Sequence, residues 1–125
     1  MTIATRGQAG NPFGEQVTHL TFDRTDEAAF EAAMQGKTWD IVYDNICYSP
    51  NDARAAVRIL DGKVGKLVFT SSLATYDPRV GIRTEADFNP HTHEVREGNA
   101  SDFSYGEGKR QVEAVYYQQA SFPVV

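Results

Sequence analysis

KLVFTSS, residues 66–72, is the stretch from which the fold can be read. Leu67, Val68 and Phe69 stand in an unbroken row, and the segment ends on hydroxyls at Thr70, Ser71 and Ser72. A short apolar run of this kind reads as a strand buried on both faces, the pattern of a parallel sheet. Parallel neighbours need crossover helices, and the flanking sequence supplies them. WDIVYD (39–44) is a second strand with a β-branched centre. Between the two, SPNDARAAVRILDG (49–62) reads as a helix with Ser49 as N-cap and Pro50 at the first helical position. Its apolar stripe is Ala53, Ala56, Val57 and Leu60, and Gly62 ends it.

Further upstream, MTIATR (1–6) and VTHLTF (17–22) are short strands. TDEAAFEAAMQGK (25–37) is a helix with Thr25 as N-cap, acids in its first turn and Gly36 at its close. Downstream, residues 73–101 carry Pro78, Gly81, Pro90 and Gly98 among polar residues and read as a long loop, a feature usually tied to function. The helix containing Tyr105 follows, and FPVV (122–125) opens a last strand. The order β-β-α-β-α-β-loop-α-β implies an α/β fold: a partial, Rossmann-like, doubly wound parallel sheet in three α/β/α layers. Residues 1–125 are expected to form a single partial domain.

Composition narrows the class. The chain of 125 residues is 41% hydrophobic and 23% charged, and it has no apolar run near the ~18 residues that a membrane helix needs. MTIATRGQAG lacks the apolar core of a secretory signal. Cys47 is the sole cysteine, which excludes an internal disulfide and suits a reducing cytoplasm. A net charge of −5 with no basic patch speaks against nucleic acid as a partner and leaves a small molecule as the expected ligand.

The chemistry centres on YGEGK, residues 105–109. Each glycine inside a helix costs about 1 kcal/mol relative to alanine. Gly106 and Gly108 therefore mean that the helix is only beginning, or that something approaches its backbone closely. Tyr105 and Lys109 are four apart and share a helix face. An ammonium beside a phenol favours the phenolate and makes the tyrosine a usable general acid or base. Alone the spacing is weak, since six tyrosines in 125 residues produce about 0.2 such pairs by chance. Ser71 and Ser72 add to it, because ligands of an open parallel sheet bind outside the carboxyl ends of the strands. The simpler reading is that both serines only end a strand and satisfy the next turn.

KLVFTSSLATY, YGEGK before a helix, WDIVYDN and FDRTD together resemble the extended short-chain dehydrogenase/reductase superfamily, in its NAD-dependent epimerase/dehydratase branch. The resemblance implies that Ser72, Tyr105 and Lys109 are the catalytic serine, tyrosine and lysine. Tyr105 would exchange a proton with a substrate hydroxyl while hydride moves to or from a nicotinamide, and Lys109 would also hold the nicotinamide ribose. It further implies cofactor contacts from Asp23 and Arg24 in FDRTD, from Asp44, Asn45 and Ile46 in YDNIC, and from Thr70. Asp23 has an equally simple role in capping the helix after it. Thr5 stands where NAD-selective relatives carry an acid for the ribose 2′-hydroxyl, and Arg6 follows; this suits a 2′-phosphate and favours NADP over NAD. A solvated surface arginine is the plainer reading of Arg6.

Departures from the pattern carry expectations of their own. GQAGNPFG (7–14) follows a strand but leads into another strand, so Gly7, Gly10 and Gly14 do not make a phosphate-binding helix start. The family's glycine-rich phosphate loop and its substrate-binding portion have no counterpart in the chain, which reads as the middle of something larger and is expected to bind dinucleotide poorly. An exposed inner strand edge predicts a homo-oligomer, formed through that edge or through the helices at 50–60 and 104–120. His91 and His93, with Glu94, lack a third clear ligand and read as solvated loop residues with no metal. Tyr76, Tyr116 and Tyr117 are expected to pack, Tyr76 near the crevice. The alternative within the superfamily is a non-catalytic member acting as an NADP-linked sensor or RNA-binding module.

Overall fold

The computed structural model describes residues 1–76 and 81–125, and its contacts divide the chain into two compact units, Met1–Lys37 and Thr38–Val125. Each unit contains one parallel two-stranded ladder. Pro78 of the long loop lies outside the described residues.

In the first unit, strand β1 (Thr2–Thr5) pairs in parallel with β2 (Thr18–Thr21), Thr2 opposite Thr18 and Thr5 opposite Thr21. Helix α1 spans Glu27–Met34. Its N-cap is Asp26, whose carboxylate accepts from the Ala29 amide at 3.0 Å; the expected Thr25 is otherwise engaged. Both the amide and the hydroxyl of Thr25 donate to Asp23 Oδ1, at 2.9 and 2.7 Å. Phe30 and Met34, one turn apart, bury the inner face of α1, and Phe30 stacks on Phe22 with centroids 5.2 Å apart.

In the second unit, β3 (Trp39–Asp44) pairs in parallel with β4 (Val64–Phe69), Trp39 opposite Val64 and Asp44 opposite Phe69. Helix α2 (Pro50–Leu60) connects them, and Ser49 caps it by accepting from the Asp52 amide at 3.2 Å. Gly62, at φ +67°, ends that helix in the left-handed region, as Gly36 does after α1. The segment FPVV continues the pairing beyond β4: Leu67 donates to Pro123, and Phe69 to Val125. It contributes a single bridge at Val124 rather than a full strand.

β4 begins two residues before the expected start and ends at Phe69. The expectation of burial on both faces is not met: only Leu67 of β4 is buried, while Ile41 and Tyr43 of β3 are 49% and 67% exposed. Helix α3 (Tyr105–Gln119) accounts for this, because it covers the face that carries Phe69. There Tyr116 meets the Phe69 ring edge-on at 5.3 Å, and its hydroxyl donates to Asp44 Oδ2. Among the described residues the core of this unit is built from Ala53, Ala56, Ile59 and Leu60 of α2, Leu67 of β4, and Val112 and Val115 of α3. Each of the larger side chains contributes roughly 1.5–3 kcal/mol by its burial.

Ser104 caps α3 by accepting from the Glu107 amide, so the helix starts at Tyr105 and both glycines are inside it. A Cβ at 106 would stand 2.3 Å from the Ala74 carbonyl oxygen, and one at 108 would stand 2.5 Å from that of Tyr48. The space beside these glycines is filled by the chain's own backbone rather than left for a cofactor or substrate. Residues 81–101 run to α3 through two single-turn 3-10 helices, Glu85–Asp87 and Ala100–Asp102. No described helix is long and apolar enough to cross a membrane.

Candidate functional site

Parallel pairing brings the carboxyl ends of β3 and β4 side by side, and α3 passes across them. Thr70 joins all three elements. Its amide donates to the Asp44 carbonyl at 3.0 Å, and its hydroxyl donates to Asn45 Oδ1 at 2.6 Å. Its own carbonyl accepts from Lys109 Nζ at 2.9 Å.

Lys109 is 2% exposed. A buried ammonium is costly unless partnered. Besides the Thr70 carbonyl it faces two aromatic rings, Tyr48 at 4.7 Å and Phe69 at 4.6 Å. Tyr105, one turn earlier on α3, is 56% exposed and lies 6.2 Å from Tyr48, centroid to centroid. The Tyr48 ring thus touches both members of the Tyr/Lys pair, a role that the sequence reading did not assign to it.

The two serines diverge, as consecutive strand-end residues do. Ser72 Oγ accepts from the Ala74 amide at 3.2 Å and caps the 3-10 turn Leu73–Thr75, the simpler of the two roles foreseen for it. Ser71 Oγ instead donates to Glu113 Oε1 on α3. Burial pushes the Glu113 carboxyl up, against the opposing pull of the Ser71 hydrogen bond and the Lys109 charge. Glu113 was missed at the sequence level, although its place one turn beyond Lys109 was the signal for it.

Asp44 is buried, with Oδ1 accepting from the Ile46 amide at 3.2 Å and Oδ2 from Tyr116. Its carboxylate is therefore committed inward, while Ile46 is 58% exposed. The remaining candidates belong to the first unit. Thr5 Oγ1 accepts from the Gly7 amide at 3.0 Å and meets His19 Nε2 at 2.7 Å. Arg6 is exposed at the end of β1, and Arg24 is half-buried ahead of α1. The Thr25 amide, then the Thr25 hydroxyl and the Arg6 charge, hold Asp23 below the usual carboxylate range.

Of the histidine pair, His91 is exposed, as expected, whereas His93 is half-buried. His91 packs against Tyr117 with ring centroids 5.2 Å apart, and His93 lies edge-on to Phe88 at 5.2 Å. His93 Nε2 is also 3.1 Å from Glu107 Oε1, which accepts from Arg96 at 2.6 Å and from Gln111 at 2.9 Å. Burial raises the Glu107 carboxyl, but the hydrogen bonds from Gln111, Arg96 and His93 outweigh this and bring it down to about 2. Among the described residues no group of three or more His, Cys, Asp or Glu is placed to hold a metal ion. Of the other tyrosines expected to pack, Tyr116 is 1% exposed and Tyr117 38%.

Among solved structures the chain is similar to a short-chain dehydrogenase/reductase (ethylated) from Veillonella parvula DSM 2008, with a TM-score of 0.59 and 14% identity. The match covers 98% of this chain and 54% of that one, so the chain spans about half the length of that protein. No protein-family model matches the chain, and no curated protein is a significant match. The likeness establishes the fold, a Rossmann-like α/β arrangement of the short-chain dehydrogenase/reductase type.

Proposed function

We propose that this chain carries the proton-transfer centre of an NADP-dependent oxidoreductase of the epimerase/dehydratase type, acting on a hydroxyl of a nucleotide-sugar-like or other small molecule. The observation that carries the reading is the grip of the Thr70 carbonyl on Lys109 at the ends of two parallel strands, with Tyr105 one turn away. The donor set fits the nicotinamide riboside end of a cofactor: an ammonium, the hydroxyls of Thr70 and Ser72, and the amide of Asn45. It does not fit the pyrophosphate, because among the described residues β1 is followed only by the single 3-10 turn Gly14–Gln16 and then by β2, with no α-helix N-terminus to receive it.

A bound nicotinamide supplies two-electron exchange with the substrate carbon. The chain's residues move and hold protons. The Tyr105 phenol takes or returns the proton of the substrate hydroxyl, aided by the positive charge of Lys109. Ser72 Oγ accepts from Ala74, which leaves its hydrogen to donate to the substrate oxygen. Lys109 would hold a ribose hydroxyl of the bound cofactor. Arg6, beside Thr5 in place of an acid, selects a 2′-phosphate.

Titration with NADPH and NADH tests this reading. Weak NADPH binding is expected, in the range of roughly 0.1–1 mM, with NADH weaker and the preference lost in Arg6→Ala. Binding of neither cofactor would sink the proposal. Tyr105→Phe should keep NADPH binding but lose turnover at least about 100-fold; full turnover in that variant would remove the acid/base role. The sealed state of Lys109 favours a second reading, a non-catalytic NADP-linked sensor, for which NADPH binding without turnover of any hydroxyl substrate is the outcome. An RNA-binding module conflicts with the charge of −5, and no nucleic-acid shift at physiological salt is expected.

A further inference from the structure

The proposed mechanism leaves a paired acid on α3 without a role. Glu113 follows Tyr105 and Lys109 at four-residue steps, so all three share one face of the helix. Its Oε1 accepts from Ser71, the residue immediately after the one whose carbonyl holds Lys109. We propose that Glu113 is a positioning residue: by anchoring Ser71 to α3 it fixes the peptide at the end of β4, and so aims the Thr70 carbonyl at the Lys109 ammonium.

The geometry supports this in two ways. Thr70 follows the last residue of β4; its amide bond to Asp44 and its hydroxyl bond to Asn45 hold it on the β3 side, and neither fixes the peptide that carries its carbonyl. Without the Ser71 anchor, the Thr70 carbonyl can rotate away while those bonds stay intact. Second, Lys109 has few polar partners to replace it: apart from Thr70 it faces the rings of Tyr48 and Phe69. A shift of the carbonyl therefore sends the ammonium towards solvent. The consequence for cofactor binding rests on the proposed function; the effect on Lys109 does not.

The test is the rate at which Lys109 is acetylated in the protein without cofactor, read by mass spectrometry against exposed Lys66. Glu113→Met fills the space but cannot accept a hydrogen bond, and Ser71→Ala removes the donor. Each should speed Lys109 acetylation about tenfold, and the double variant should be no faster than either alone. Glu113→Gln, which can still accept from Ser71, should stay within about twofold of the wild type. Wild-type behaviour of Glu113→Met and Ser71→Ala would overturn the proposal. So would an equal acceleration in Val112→Ala, a core variant with no link to Ser71. If Glu113→Met fails to fold, Ser71→Ala decides alone. Failure of NADPH to bind the wild type would count against the oxidoreductase reading and leave this outcome untouched.

Discussion

A methyl group at position 106 would stand 2.3 Å from the Ala74 carbonyl oxygen, well inside contact distance. Alanine would gain about 1 kcal/mol in helix propensity over glycine. Forcing apart two packed backbones costs about 1–3 kcal/mol, occasionally more, and a carbonyl cannot swing aside as a side-chain tip does. The clash wins. Gly106→Ala is expected to lower stability in urea by up to about 2 kcal/mol, against the sign that propensity alone gives. A stabilised Gly106→Ala would show that the turn yields freely. The contact also has a functional side, because the Leu73–Thr75 turn that presses on Gly106 is the one capped by Ser72. At this scale the placement of Tyr105 and Lys109 one turn apart on a helix was legible from spacing, and so was the turn that Ser72 satisfies, whereas the Glu113 partner of Ser71 was not. Alternation sends neighbouring strand residues to opposite sides, but which side meets α3 depends on packing that a single sequence does not display.

Among the elements, α3 does more than carry the Tyr/Lys pair: it fastens the segment 89–98. The buried Gln111 accepts from the Arg96 amide at 2.8 Å and donates to the Glu94 carbonyl at 2.9 Å. Gln118 donates to the carbonyls of Pro90 and His93. Glu107 gathers His93, Arg96 and Gln111 on one oxygen. Its carboxyl is depressed from the ordinary 4.5 to about 2 in the folded chain, so its contribution is complete above pH 4.5 and disappears as the pH falls towards 2. Glu107→Gln should cost about 1–2 kcal/mol at pH 7 and flatten the loss of stability across that acid window. An unchanged slope in urea titrations between these pH values would refute it. The strap was invisible in advance for a physical reason. Its polar residues are the composition of a solvated loop, and only the long-range contacts of Gln111 and Gln118 tell otherwise. Helix limits failed more mildly: Thr25 and Asp26 are both good caps, and Asp23 decided between them by binding Thr25 first.

For the whole molecule, the alternation of strands and helices was enough to reach a parallel α/β fold, because parallel pairing requires crossovers that sequence periodicity reveals. The burial of the sheet was not legible, since an apolar run reports what a strand can bury and not what covers it. Ile41 and Tyr43 lie on the face of the β3–β4 ladder opposite α3, with Ile46 exposed just beyond β3. Among the described residues β3 is laddered only to β4 and keeps one edge unpaired. The helices offer less, because α2 and α3 turn their apolar sides into the core. Such an edge beside exposed apolar side chains invites pairing with another strand, and we propose a second copy of this chain as the occupant. Sedimentation should then show a dimer or higher oligomer at about 100 µM, and Ile41→Lys should weaken association at least about tenfold by placing a charge on that strand. A strictly monomeric profile of the wild type at that concentration would rule the edge out as a self-association surface.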